Sequence, residues 1–429
     1  MHSAKNYLNK LDCHILLTKH FGKKNVSYNE FANQLMATKN QTKTNNMTFP
    51  IDKFAKIETP FYYYDMDLLN DTLEAIHKEI DNKPNYHVHY AIKANANERI
   101  LAAIANSGFG ADCVSGGEIE TGRKAGFSGD KIVFAGVGKS DKEIKKALEE
   151  NIHSFNVESL AELDVINEIA QGMGKVARVA FRVNPNVDAH THAKITTGLN
   201  ENKFGIAMED LLPAIEHAKM LPAVKYIGMH FHIGSQILDL SVYAALCHRI
   251  NELQELLDKN DIITDNINVG GGLGIDYENP DGNPIPNFKE YFSVFERHLK
   301  LRPNQHLHFE LGRSVVAQCG TLIARTLYVK EGHTKRFVIV DAGFTELIRP
   351  AMYGSHHFTE NISAISETPT ATYDVVGPIC ESSDVFSTGE TLPITKRGDF
   401  IAFRSAGAYG EVMASTYNCR TLPKSYFSK

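Results

Sequence analysis

Between residues 67 and 318 the chain alternates two hydrophobic rhythms. Short runs with apolar residues at every second position are separated by longer runs in which they recur every three or four. These are the marks of strands and amphipathic helices. The short runs predict eight strands, at 87–93, 109–115, 131–136, 152–157, 177–184, 224–233, 265–270 and 305–311. Residues 141–150, 159–172, 207–219 and 240–259 read as helices between them. Eight β/α units in about 250 residues fit a TIM-type barrel, with a doubly wound open sheet as the competitor.

Parity inside the strands separates the two folds. In "VKYIGMHFHIGSQ", Ile227, Met229, Phe231 and Ile233 share one face, and Gly228, His230, His232 and Gly234 share the other. In "QHLHFELGR", Leu307, Phe309 and Leu311 oppose His308, Glu310 and Gly312; in "VAFRVNP", Val179, Phe181 and Val183 oppose Ala180, Arg182 and Asn184. An open sheet covered by helices on both sides is apolar on both faces. Here one face turns small or polar toward the strand's C-terminal end, where a barrel carries its active site. In "NYHVHYAIKANAN" the same parity sets Lys93 on the inward face with His87, His89 and Ala91.

From about residue 319 the texture changes. "TLIARTLYVKEG", "KRFVIVDAG", "ATYDVVGPIC" and "DFIAFRSAGAYG" are strand-like runs between turns, which predicts an all-β domain over 319–429. "TPFYYYD", within 48–66, is strand-like but cannot belong to the eight, so it is expected to pair with that domain. Residues 1–46 include the polar, low-complexity "MATKNQTKTNN" and read as a disordered leader or a start-site artefact, with the folded protein beginning near Met47.

A formal net charge of −6 gives no electrostatic case for nucleic acid or an anionic membrane. No apolar run approaches the roughly 20 residues of a membrane span. "HILL" falls short of a signal-peptide core of about 7–15 residues. A cytoplasmic location is the expectation. Six scattered cysteines without a CxxC pair argue against a disulfide framework or a thiolate zinc site.

A lysine enclosed in a site has its pKa lowered by desolvation, which frees an amine able to form a Schiff base. Pyridoxal 5'-phosphate is one carbonyl cofactor for such a lysine. It requires a phosphate cradle, a carboxylate at the ring nitrogen and a group against the ring face. "NVGGGLG" offers Gly270, Gly271 and Gly272 as the cradle, because successive glycines let backbone N–H groups converge on an anion. Nucleotide motifs fail: the dinucleotide fingerprint needs glycine at Ile275, and the P-loop-like "VFAGVGKS" has Val133 for its first glycine. Glu310 is the candidate carboxylate, with a salt bridge to Arg182 as its plain structural alternative, and His232 is the ring-face candidate. The "HVH" pair (His87, His89) and the "HFH" pair (His230, His232), with Glu310, leave a metal-dependent barrel hydrolase as a rival.

"YAIKAN", "HFHIGSQ", "GGGLG", "ELGR" and "CESSDVF" together resemble the alanine-racemase-fold decarboxylases that use pyridoxal phosphate. The likeness runs from about residue 57 to 423 and is closest to the branch acting on meso-diaminopimelate. It implies decarboxylation of that amino acid to L-lysine and CO₂, the last step of lysine biosynthesis. It further implies Lys93 as the Schiff-base lysine, His232 on the ring and Glu310 at its nitrogen. Asp112, Ser235, Gly271, Gly272, Gly312 and Arg313 are implied around the cofactor, its phosphate and the nearby substrate, and Tyr409 is implied to approach from the C-terminal domain. In this family the site is completed across a homodimer, which implies Cys380 as a proton donor, and Glu381 beside it, in the partner's site.

Substrate choice rests on the far end of the ligand, where a second carboxylate suits a bidentate arginine. The resemblance places Arg349 and Tyr353 there. Ornithine decarboxylases of the same fold use an aspartate in this region, and Asp384 keeps an amine-ended substrate open. The chain departs from the family's usual "EPGR" by Leu311, with little effect expected.

Overall fold

A computed structural model describes residues 49–187, 203–364 and 369–429, and the expected leader lies outside the described residues. Phe49–Lys429 form one compact unit. Helix α1 (Ile51–Phe54) and strand β1 (Phe61–Tyr64) precede α2 (Met66–Ile80), and β/α alternation follows. Its elements are β2 (Tyr86–Ala91), α3 (Glu98–Asn106), β3 (Gly110–Cys113), α4 (Gly116–Ala125), β4 (Ile132–Phe134), α5 (Asp141–Glu149), β5 (Ser154–Val157) and α6 (Leu160–Gly172). Then come β6 (Ala177–Asn184), a two-residue β7 (Ile206–Ala207), α7 (Leu211–Met220), β8 (Val224–His230), α8 (Ser241–Asp258), β9 (Asn266–Asn268), α9 (Phe288–His298) and β10 (His306–Leu311).

Strands β2, β3, β4, β5, β6, β8, β9 and β10 are parallel neighbours in that order, and β10 returns to β2. The sheet is therefore a closed eight-stranded barrel, as parity predicts. Apolar positions face the helices: Phe309 packs edge-on against Phe292 and Phe295 of α9, with ring centres 4.9 and 5.1 Å away. Polar positions meet inside, where Asn156 of β5 reaches across to Glu310 of β10. Polar caps set the helix starts. Ser115 accepts the Glu118 N–H at α4, and Ser140 and Glu143 cap each other's backbone at α5.

After β10, the short α10 (Arg313–Val316) leads into β11 (Gly320–Glu331), β12 (Arg336–Val340), α11 (Arg349–Tyr353), β13 (Thr359–Asn361), β14 (Thr370–Val376), β15 (Val385–Pro393), β16 (Phe400–Phe403) and β17 (Lys424–Phe427). They form a second, mixed sheet in the order β13-β16-β11-β12-β14-β15. β1 joins it, antiparallel to β11 and parallel to β17, so "FYYY" sits with the C-terminal strands.

Most observed strands are shorter than the sequence reading by one to three residues, and two of these differences bear on the site. β2 stops at Ala91, and Lys93 sits in a 3₁₀ turn, Ile92–Ala94. Asn95 causes the turn: its side chain donates to Tyr64 Oη and to Gly407 O, both 2.8 Å away, and so pins the strand end to the β sheet. His232 likewise lies two residues beyond the end of β8. Among the described residues, no helix is long and apolar enough to cross a membrane.

Candidate active site

The C-terminal ends of the barrel strands bring most of the expected residues together. Lys93 Nζ lies 3.1 Å from the buried Asp112 Oδ2. The Lys93 side chain is 38% exposed at the barrel mouth, whereas that of Asp112 is 1% exposed. Burial alone would lower the Lys93 pKa, but Asp112, Tyr409 and Glu310 more than reverse that, and the pKa is raised. This corrects the expectation of a lysine neutralised by desolvation. In the chain as it stands Lys93 is an ion-paired ammonium, and the other Asp112 oxygen, Oδ1, is buried without a partner.

Glu310 is 6% exposed and fully engaged by the barrel interior. Oε1 accepts N–H groups of Asn156 (3.1 Å) and Asn268 (2.8 Å), and Oε2 contacts His230 Nε2 at 2.9 Å. Burial would raise this carboxyl, but His230, Lys93 and His232 outweigh it and hold the group ionised, well below the usual range. The expected Arg182 salt bridge is not formed, because Arg182 pairs with Glu158 at 3.1 Å and His230 takes its place beside Glu310. A carboxylate offers about four acceptor positions, so three bonds leave one on Oε2.

His232 is kept neutral, chiefly by burial and then by Arg182 and Lys93. Its Nδ1 is 3.4 Å from the Gly271 N–H. Beside it, four strand ends meet as nearly bare backbone. A Cβ on Gly271 would fall 2.0 Å from Glu310 O, and one on Gly272 (φ +107°) 2.6 Å from Gly234 O. A Cβ on Gly312 would crowd Ala91 and Ala94 at 3.1 and 3.2 Å. Ser235 and Arg313 border this patch, with Arg313 Nη2 donating to Ser235 Oγ at 3.0 Å. Tyr409 arrives from the β domain with φ +57°, its N–H bonded to Ala94 O, and the Arg313 guanidinium lies 4.9 Å over its ring. The P-loop-like Lys139 is spent elsewhere: Nζ donates to Gly136 O and Asn156 O (2.8 Å each) and pairs with Glu162.

Arg349, the first residue of α11, is buried (5% exposed), as is Arg313 (7%). Tyr277 stands between them. Its hydroxyl accepts from Arg313 at 2.6 Å, and the two guanidinium carbons lie 5.9 and 4.9 Å from its ring centre. Burial, and the nearby Arg313 charge, pull the Arg349 pKa down. Among the described residues no carboxylate pairs with either arginine, and Arg313 Nε has no partner. Tyr353 ends the same short helix near Arg313.

The family model described as "Pyridoxal-dependent decarboxylase, pyridoxal binding domain" matches residues 67–317. The diaminopimelate decarboxylase of Bacteroides thetaiotaomicron is 61% identical over 380 residues, covering 89% of this chain and 98% of that protein. The chain belongs to the diaminopimelate decarboxylase family. The Zymomonas mobilis member is 42% identical, over 86% of this chain and 87% of that one. The crystal structure of diaminopimelate decarboxylase from Helicobacter pylori, complexed with L-lysine, superposes with a TM-score of 0.83 at 40% identity, covering 88% of this chain and 93% of that one.

The barrel mouth fits the family's cofactor. It combines an amine, an ionised carboxylate with a free acceptor position, a neutral imidazole and a side-chain-free patch beside an arginine. The remaining expected residues lie apart. Cys380 and Glu381 are exposed on the turn between β14 and β15; Cys380 N–H donates to Asn418 Oδ1 (3.3 Å) and Glu381 accepts from Tyr417 Oη (2.9 Å). Among the described residues neither has a hydrogen bond or ion pair with the barrel mouth. Asp384, the amine-selecting alternative, is buried and accepts the backbone N–H groups of Phe344 and Ile379, at 2.7 Å each. It shapes a turn and is not available to a ligand. The two histidine pairs of the metal reading occupy opposite ends of the barrel: His87 and His89 bond to His306 and His308 near the strand starts, whereas His230 bonds to Glu310. Asn156, Asn268, Tyr277 and His357 were not singled out from sequence. Only the first two carried a signal, as polar residues inside otherwise apolar strand runs.

Proposed function

We propose that this chain decarboxylates meso-diaminopimelate to L-lysine. The observation that carries the reading is the pair of buried arginines flanking Tyr277 without an acidic partner among the described residues. Two desolvated cations side by side are costly unless an anion enters between or beside them. A substrate whose far end carries a carboxylate supplies that anion, and an amine-ended substrate does not.

Lys93 would hold the carbonyl carbon of pyridoxal phosphate, Glu310 its ring nitrogen and His232 its ring face. Gly271, Gly272, Ser235 and Tyr409 would border its phosphate. When bound, the cofactor supplies an electron sink for the pair released as CO₂ leaves. Lys93 must first lose a proton, and Asp112, with one oxygen already 3.1 Å away, governs when it does. Arg349, Arg313 and Tyr353 orient the substrate by its distal carboxylate, so that its position relative to Lys93 is set before reaction. Cys380 contributed by a second copy of the chain returns a proton to the product carbon, with Glu381 beside it. The exposure of both residues on a β-domain turn supports such a shared, homodimeric site. A cytoplasmic setting accords with the charge and with the soluble substrate.

The test is CO₂ release from protein reconstituted with pyridoxal phosphate and offered meso-diaminopimelate, L-ornithine and L-arginine in parallel. Diaminopimelate should be turned over well ahead of the other two. Arg349→Ala should raise its KM roughly ten- to hundredfold, the value of a lost charge-assisted hydrogen bond. Preferential turnover of ornithine or arginine overturns the reading.

A further inference from the structure

Arg349 is held by neighbours that leave part of its donor fork unused. Nη1 lies 2.8 Å from His357 Nε2, Nη2 donates to Ser355 Oγ at 3.3 Å, and the guanidinium lies over the Tyr277 ring. His357 is 2% exposed, and its other nitrogen, Nδ1, is 2.9 Å from Arg404 O. That carbonyl belongs to an anchored residue, since the Arg404 side chain bonds to both Asp281 (2.7 Å) and Glu360 (2.8 Å).

These partners fix the state of the imidazole. A carbonyl only accepts, so Nδ1 must carry the hydrogen. A guanidinium only donates, so Nε2 must offer a lone pair. A second proton would set N–H against N–H and cation against cation at 2.8 Å. Burial, then the Arg349 charge, accordingly holds the His357 pKa well below its ordinary value. With N–H groups given to His357 and Ser355 and one turned toward Tyr277, two of the guanidinium's five remain for a ligand carboxylate.

We propose that His357 is a positioning residue for substrate selection: a permanently neutral imidazole, anchored on the Arg404 carbonyl, that aims the Arg349 guanidinium at the distal carboxylate. The inference rests on the reading of Arg349 given above. It predicts that loss of the Nε2 lone pair weakens every ligand with the distal carboxylate and spares those without it. The product L-lysine keeps that carboxylate, whereas cadaverine, the corresponding diamine, does not.

The experiment uses the full chain with pyridoxal phosphate, and compares the wild type with His357→Ala, His357→Gln and Arg349→Ala. For His357→Ala, the KM for meso-diaminopimelate and the inhibition constant of L-lysine should both rise roughly tenfold or more, with kcat within about threefold. Cadaverine inhibition should be unchanged. His357→Gln should recover most of the loss, because its amide can accept from Arg349 and donate to Arg404 O. If His357→Ala does not fold, His357→Leu takes its place, filling similar space without a lone pair. An unchanged KM in His357→Ala beside a raised one in Arg349→Ala overturns the role of His357 alone. Unchanged KM in Arg349→Ala overturns the underlying reading as well. Equal weakening of L-lysine and cadaverine, or no recovery in His357→Gln, marks a merely structural histidine and also overturns the proposal.

Discussion

Glu310 shows what a single side chain must satisfy to be useful inside a barrel. An unpartnered carboxylate there would cost several kcal/mol or take up a proton. Asn156, Asn268 and His230 together remove that penalty and keep the charge. Glu310→Gln is expected to keep the packing, since an amide can still meet the asparagines and His230 can change tautomer. It deletes the negative charge, and kcat should fall by about 10²–10³-fold, the scale seen when one preorganised electrostatic contact is removed. Steady-state kinetics with a thermal melt checks it; a kcat within about threefold of wild type would show that the charge is structural. Strand parity alone placed Glu310 and His230 on one inward face. It could not say that they touch, because they are 80 residues apart in sequence and the pairing depends on barrel closure. For the same reason His357 and Tyr277 were invisible: each lies in a loop without periodicity, and only tertiary packing brings either to Arg349.

At the scale of elements, the glycine run after β9 has two reasons to exist. Sequence suggested an anion cradle. The structure adds that the ends of β8, β9 and β10 approach so closely that a side chain has no room, with Glu310 O 2.0 Å from an ideal Cβ on Gly271. Gly271→Ala should therefore destabilise the protein by roughly 1–3 kcal/mol even without cofactor, because the obstructing atom is backbone and cannot swing aside. Urea denaturation of cofactor-free protein reads this directly. A midpoint equal to wild type would mean the strand ends can part and that the glycine serves the anion alone. The boundary of β2 teaches a related point. Period-two parity carried Lys93 inward as though the strand continued, and the inward placement held. The turn that delivers it is dictated by Asn95 bonding to Tyr64 and Gly407, elements of the other sheet. The eight-strand count survives such errors because it depends on repeated units and not on any one terminus.

For the whole molecule, the barrel end opposite the site stores a pH dependence. A cavity of about 500 Å³ near the strand starts is lined by His87, His89, His153, His306 and His308, together with Asp130 and Lys131. His89 donates to or accepts from His308 at 2.9 Å, and both are almost wholly buried. Burial, then neighbouring imidazoles, depresses His89 to about 3 and His87 to about 4, and holds His308 far below its ordinary value. The sign follows from linkage. Above about pH 6.5 these rings are neutral in both the folded and the unfolded chain and cost nothing. Below it the unfolded chain takes up protons that the folded one refuses, so stability falls as pH drops toward the folded values. Each fully buried histidine adds a slope of up to about 1.4 kcal/mol per pH unit in that window. Glu310, whose pKa is depressed, acts only lower down, as pH falls below about 4.3. The histidines should thus make urea midpoints decline from pH 6.5 to 5, partly offset by the partly buried Glu118 carboxyl, whose pKa is raised to about 7 and which favours the fold as pH falls. His89→Gln combined with His308→Gln should flatten the decline by about 2–3 kcal/mol per pH unit, whatever it does to stability at pH 8. An unchanged slope in the double variant would place the acid sensitivity elsewhere, in the buried His232 and His357 of the active-site end.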